Sequence, residues 1–233
     1  MAGAHLQRLV IAALESCCRL GELLSLTWAD IDLIRKELTV RAEKAKTDTT
    51  RILPISTRLA GILEMARTAL ETELTLAHCG PLLADDLQRT VARAYVFGDA
   101  IGGEVKSIKR AWATAVLKAH RYTPQWTKGN KLAAESRAAL HAIDLHFHDL
   151  RHEGGSRLLE AGWPLHHVQH MLGHENLSQT STYLNATRIG LQESMRRFDE
   201  SAPRCNPVAT EATIETPLDC NDDEPATAKP LVN

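Results

Sequence analysis

Six polar residues of this chain are of types that could carry out phosphoryl transfer through a covalent intermediate: Arg19, Lys46, His148, Arg151, His174 and Tyr183. Four of them fall in one stretch, HFHDLRHEGGSRLLEAGWPLHHVQHMLGHENLSQTSTYLN, from His146 to Asn185. Within it His148-x-x-Arg151 is followed by Leu172-Gly173-His174, and Tyr183 stands nine residues after that His and 32 after Arg151. Near the other end the text is Arg19-x-x-Glu22-Leu23-Leu24-x-Leu26-x-Trp28-x-Asp30-Ile31-Asp32. Cutting a phosphodiester by transesterification needs a nucleophile, donors for the charge that builds on phosphorus, and an acid for the leaving oxygen. A tyrosine phenol, with a pKa of about 10, can be the nucleophile. Two arginines, always charged and forked, can hold the non-bridging oxygens more directionally than lysine would. Taken singly, each residue has an ordinary reading: Tyr183 as a packed amphipath, the arginines in surface ion pairs, Lys46 as a solvated loop charge. Only the joint spacing demands more.

The elements that must position these groups are readable from periodicity. Leu6, Leu9, Val10, Ala13, Leu14 and Cys17 recur at helical spacing, so the chain opens on an amphipathic helix. From Ile31 to Ile55 short β-favouring runs, IDLI, LTVRA and RILPI, are separated by RKE and KAKTDTT. They predict a three-stranded antiparallel meander with Lys46 in its second turn. A long helix is marked by Leu59, Ile62, Leu63, Ala66, Leu70 and Leu74, and another by Val105, Ile108, Trp112 and Val116. Loop and a short strand-like YVF at 95–97 are expected between them. Residues 121–140 combine Pro, Gly and polar side chains and read as a long surface insertion with a little helix. Helices follow over Asp149 to Ala161, Pro164 to Leu172, where Gly173 is the stop, and Ser178 to Asn185; a last one carries Leu191, Met195 and Phe198. The fold class is mainly α with a small antiparallel sheet.

Composition narrows the classes. Of 233 residues 44% are hydrophobic and 24% charged, and no apolar run approaches the ~20 residues of a membrane span. The overall charge of -2 hides an asymmetry: residues 199–233 hold eight acids and two bases, whereas residues 1–198 hold 25 Lys and Arg against 21 acids, with all 11 His. A polyanionic partner therefore suits the first part. The acidic, Pro-containing end lacks aromatics and periodicity and reads as a disordered tail. Five Cys without C-x-x-C spacing suit neither a disulfide framework nor a structural zinc site, and no secretion signal is visible, so a cytoplasmic setting is expected.

The Arg-x-x-Glu box with Leu-x-Trp-x-Asp-Ile-Asp, the His148-x-x-Arg151 box and Leu172-Gly173-His174 followed by Tyr183 together resemble the catalytic domain of the tyrosine recombinases, or phage integrases, over roughly residues 5–198. The resemblance implies site-specific DNA cleavage and rejoining through a 3′-phosphotyrosyl link, without metal, ATP or other cofactor. It gives Lys46 the role of acid for the departing 5′ oxygen, with Lys44 as the neighbouring alternative. Lys46-Thr47 and Arg51-Ile52-Leu53-Pro54 match the family's usual text at this turn. His148 would take the Tyr183 proton or bond the scissile phosphate, His174 would donate to a phosphate oxygen, and Glu22 would orient these groups. The implied partners are double-stranded DNA and further copies of the chain in a synaptic tetramer, with no membrane. On this reading 1–198 is a catalytic domain that starts without the helical clamp domain usual in the family, and 199–233 is the tail.

Departures from the pattern are Cys17-Cys18 in place of the usual Thr-Gly and Glu153 in place of a Thr. Gly154-Gly155 in an early helical turn costs roughly 1 kcal/mol each relative to Ala and implies close packing on DNA or a neighbouring helix. Other readings are a truncated integrase serving as a DNA-binding regulator or relic, and a type IB topoisomerase with the same tyrosine chemistry. A further one is a His-rich metal-dependent hydrolase using His166, His170 and His174 at i, i+4, i+8, with His141, His146, His148 and His152 upstream. Against the last, Gly173 should end the helix before His174, and His166, His167 and His170 are expected to face DNA or solvent.

Overall fold

Leu6, Leu9, Ala12 and Ala13 are buried on one face of the first helix, α1 (Ala2–Ser16), which anchors the hydrophobic core. The computed structural model describes residues 2–42, 49–77, 83–129, 131–181 and 188–201. Helix α1 stops where Ser16 Oγ bonds back to the Ala12 carbonyl (2.6 Å) and Cys17 turns into the left-handed region (φ 54). A non-glycine residue pays about 1–3 kcal/mol for that conformation. The turn delivers Arg19 to the start of α2 (Leu20–Ser25).

A 3-10 turn at Trp28–Asp30 leads into the meander: β1 (Ile31–Asp32), β2 (Glu37–Val40) and β3 (Arg51–Pro54), antiparallel in that order. The aspartates of the Trp-x-Asp-Ile-Asp run build these corners. Asp30, 3% exposed, accepts from Thr27 N–H (2.9 Å) and Oγ1 (2.8 Å) and pairs with Arg41, while Asp32 Oδ1 accepts from the N–H groups of Ile34 and Arg35 in the β1–β2 turn. Register pairs Ile31 with Leu38, Leu38 with Leu53 and Val40 with Arg51. Side chains alternate across a strand, so Arg51 shares the buried face with Leu53.

Leu59, Leu63, Ala66 and Leu70 line the core side of α3 (Thr57–Ala77). The stretch expected to be loop after it contains α4 (Ala84–Arg93). Val91 is buried and Leu87, one turn before it, packs partly buried against the core, so the helix carries a narrow apolar stripe amid polar residues; Asp85 and Asp86 in its first turn and Arg93 in its last suit the helix dipole. The YVF run is no strand: Tyr95 makes an isolated bridge to Thr27, and turn follows. Then come α5 (Lys109–Ala119) and an insertion that is more ordered than its composition suggests, with a Trp126–Leu132 bridge and α6 (Ala134–Ile143).

Helices α7 (Asp149–Glu160), α8 (Leu165–Leu172) and α9 (Leu177–Ser181) complete the first compact unit, Met1–Asn185. Pro164 caps α8 rather than entering it, and Gly173 closes it at φ 59. Helix α7 packs on α1 with no room for a side chain at Gly154, where a Cβ would lie 2.3 Å from the Leu14 carbonyl oxygen and 3.0 Å from Cys17 Sγ. The neighbour anticipated for Gly154 is therefore a helix. The second unit, Ala186–Asn233, contains α10 (Arg188–Ser201); the acidic segment beyond it lies outside the described residues. Among the described residues no helix is long and apolar enough to cross a membrane.

Candidate active site

A charged residue on the buried face of a strand must find a counter-charge, and Arg51 finds Glu22. Its Nη2 donates to Glu22 Oε2 at 2.7 Å and its Nη1 to Oε1 at 3.2 Å, with both residues nearly inaccessible (5% and 2% exposed). The same carboxylate accepts from the Arg19 backbone N–H (2.8 Å) and from Arg19 Nη1 (3.0 Å). Glu22 is three residues into the turn that Arg19 begins, which is the spacing that lets an acid reach back to a helix start. Burial alone would raise the Glu22 carboxyl, but the Arg51 hydrogen bonds and charge, with Arg19, hold it below its ordinary value. Glu22 thus holds Arg19 at both its backbone and its side chain, and Arg51, which the motifs did not single out, shares the same carboxylate. Its sequence signal was the alternation Arg51, Leu53, Ile55, which puts it on the buried face.

Gly173 rests against the same guanidinium. A Cβ there would approach Arg51 Nη1 to 2.8 Å and Cζ to 2.9 Å, so only glycine lets the end of α8 lie this close. The Leu-Gly-His text therefore joins three needs: Leu172 is fully buried, Gly173 closes the helix over Arg51, and His174 follows directly.

Arg151, on the first turn of α7, is 2% exposed. Its Nη1 donates to the Cys17 carbonyl at 2.7 Å, 134 residues away in sequence, and its Nη2 to the Leu172 carbonyl. Two fixed carbonyls set the plane of the guanidinium, and both belong to segments that carry other candidate residues, Cys17 two before Arg19 and Leu172 two before His174.

His148 caps α7, its ring edge-on to His152 with centroids 4.8 Å apart. Burial, then the charges of His152 and Arg151, lower its pKa. His174 Nδ1 lies 3.0 Å from the hydroxyl of Thr180, which is wholly buried on α9. Burial and the nearby cations Arg151 and Arg19 push His174 down to about 4. Both rings are therefore neutral at pH 7, each with one donor and one acceptor nitrogen. Arg19, Arg151, His148 and His174 come together from four separate segments, whereas Lys46 and Tyr183 lie outside the described residues.

Between β3 and α8 is a recess of about 360 Å³ lined by Thr49, Thr50, Arg51, His166, Gln169, His170, Gly173, His174 and Glu175. His170 is exposed, as expected of a surface position, and its Nε2 lies 3.1 Å from the Ile52 carbonyl at the edge of this recess. Gly173 takes His174 off the helical face of His166 and His170, and among the described residues no group of His, Cys, Asp and Glu has the arrangement to hold a metal ion.

A model of the phage integrase family matches residues 2–188. The chain is 31% identical over 190 residues to the tyrosine recombinase XerC of Haemophilus ducreyi, covering 82% of this chain and 49% of that protein. It is 28% identical over 200 residues to a XerC-like tyrosine recombinase of Caldanaerobacter subterraneus subsp. tengcongensis, covering 77% and 45%. The chain thus spans about half the length of these relatives. Its fold matches that of the Tn1549 transposon integrase in complex with transposon right end DNA (TM-score 0.56, 16% identity, 84% of this chain and 59% of that one). It also matches the XerA recombinase (TM-score 0.51, 19% identity, 83% and 62%).

Proposed function

The chain belongs to the phage integrase family, and from that premise we propose that it is a site-specific DNA recombinase that cleaves and rejoins strands through a 3′-phosphotyrosyl intermediate on Tyr183. The observation that carries this reading is the convergence of two arginines and two neutral imidazoles, Arg19, Arg151, His148 and His174, with Arg19 held by Glu22 and Arg151 by two backbone carbonyls. Preorganised donors of this kind stabilise a phosphorane-like transition state without reorganising during the reaction.

In the proposed sequence the guanidinium groups bind the non-bridging oxygens of the scissile phosphate, and the Tyr183 oxygen attacks phosphorus. The phenolic proton passes to His148 and the departing 5′ oxygen takes a proton from Lys46. His174 donates to a phosphate oxygen, a role open to a neutral ring whose Nδ1 is engaged by Thr180. Attack of a 5′ hydroxyl on the phosphotyrosine reverses each step, and the energy of the broken phosphodiester stays in the covalent link, so neither ATP nor metal is needed. The roles of Lys46 and Tyr183 rest on the family motifs.

The catalytic domain takes up residues 1–198 and residues 199–233 form an acidic tail. Recombination proceeds in a tetramer on duplex DNA. Helix α10, on which Met195 and Phe198 are 61% and 65% exposed, is the element for docking on a neighbouring copy. The setting is cytoplasmic, in keeping with the free, buried thiols of Cys17 and Cys18.

The test is a suicide substrate, a duplex nicked so that cleavage releases the short strand. Wild-type protein should form a denaturation-resistant adduct in the presence of EDTA, and Tyr183→Phe should form none. An adduct that survives Tyr183→Phe, or is lost with EDTA, overturns the assignment.

A further inference from the structure

We propose that the insertion between α5 and α7 is a second phosphate-binding surface, which holds the duplex flanking the scissile phosphate; this deepens the recombinase reading and rests on it. Residues 105–134 contain seven Lys and Arg and no Asp or Glu, more positive charge than the net excess of all of residues 1–198. All seven, Lys106, Lys109, Arg110, Lys118, Arg121, Lys128 and Lys131, are exposed. Folding gathers several of them. The Arg110 guanidinium lies 5.0 Å over the Trp126 ring, which fastens the Trp126–Leu132 bridge to the start of α5. Arg137 on α6 donates to the Leu132 carbonyl at 3.0 Å, and Ser136 Oγ, buried, accepts from the Gln125 N–H at 3.0 Å. Lys128 and Lys131 are therefore carried by the braced segment between Trp126 and Leu132, which Arg110 holds against the start of α5.

A groove beside the start of α5 reaches residues adjacent in sequence to the candidate active site. This groove, of about 420 Å³, runs between α5 and α6, with Lys109, Arg137, His141 and His146 among its lining and Asp144 as its one acid. Leu20 and Phe147 also line it, and they are the immediate sequence neighbours of Arg19 and His148. Its floor is held by Trp112, which packs edge-on against Phe147 (5.2 Å) and donates from Nε1 to the Leu145 carbonyl at 3.2 Å. Seven exposed cations along one stretch without an acid fit a polyanion whose charges recur along its length, which is duplex DNA rather than a small anion. These lysines lie outside the set assigned to the reacting phosphate, so their contribution is to affinity and register.

The test uses the full chain and a fluorescent duplex of arbitrary sequence, with binding constants measured across a salt series. Lys109→Gln/Lys128→Gln/Lys131→Gln should lower the slope of log K against log salt by about one unit per lysine. The thermal transition should stay unchanged, because all three side chains are exposed. The corresponding triple Lys→Arg variant should restore the slope, and Lys128→Gln/Lys131→Gln alone should show about two thirds of the loss. A slope that stays at the wild-type value in a folded triple Gln variant overturns the inference. The Tyr183 adduct is scored separately: an adduct with an unchanged slope removes this surface and leaves the cleavage reading intact, whereas a lowered slope without any wild-type adduct removes the cleavage reading and leaves the surface.

Discussion

Glu22→Gln preserves the size and shape of the side chain and removes its charge, so it isolates what the carboxylate does. In the native chain four hydrogen bonds converge on it, two from Arg19 and two from Arg51. The substitution turns one acceptor oxygen into an amide donor facing guanidinium donors, and it leaves Arg51, 5% exposed, as a buried cation without a counter-charge. Removing one partner of such a pair costs about 3–5 kcal/mol. The Arg19 pair adds at most ~1 kcal/mol, because that side chain is 24% exposed and screened by solvent. For a chain of this length the combined loss corresponds to roughly 6–24 °C in Tm.

Arg51→Met alone should be costly for the converse reason, and the double variant Glu22→Gln/Arg51→Met should recover much of the stability, since no unpaired charge then remains buried. Acid gives a second readout. The Glu22 carboxyl is held below its ordinary value in the folded protein. Its stabilisation is therefore complete above the unfolded pKa of about 4.3 and is lost as pH falls through the lower folded value. The stability gap between wild type and Glu22→Gln should be constant at neutral pH and close as the solution is taken into that acid window. Urea melts across pH measure both effects. A Glu22→Gln cost below about 1 kcal/mol at pH 7, or a gap that widens in acid, would refute the buried-network reasoning.

Gly154→Ala places a methyl group against the Leu14 carbonyl and should cost about 1–3 kcal/mol by prising α7 from α1; an unchanged denaturation midpoint would contradict the close contact. Thr180→Val keeps the buried shape while deleting the hydroxyl beside His174 Nδ1, and a loss of about 1 kcal/mol is expected, accompanied by a change in the His174 tautomer seen in 15N shifts. His174, folded near 4 against about 6.5 unfolded, contributes stability that is whole above pH 6.5 and erodes between there and about 4; its ring proton resonance should therefore not titrate until about pH 4, and should titrate higher once duplex DNA offsets the arginine charges.

What could be read in advance, and what could not, divides by the range of the physics involved. Arg19, His148, Arg151 and His174 were singled out by the spacing of their motifs, and folding brings their charges to bear on one another; the meander was legible because strand alternation is local. Helix α4 was passed over because its apolar stripe holds only two large residues, Leu87 and Val91, and its stability is drawn from its contact with α3. The aspartates of Trp-x-Asp-Ile-Asp belong to the same family text as Arg19, yet Asp30 and Asp32 accept from the backbone N–H groups of turns. A motif mixes residues kept for chemistry with residues kept for corners, and spacing alone does not separate them. Arg51 is the converse case. It matched the family text as a mere flank of the hairpin, but the two facts that define its role, Glu22 within 2.7 Å and Gly173 against its face, come from segments 29 and 122 residues away. A buried ion pair gains from proximity that no local window contains, so the residue that ties the first box, the hairpin and the Leu-Gly-His turn together emerges only when the chain is folded.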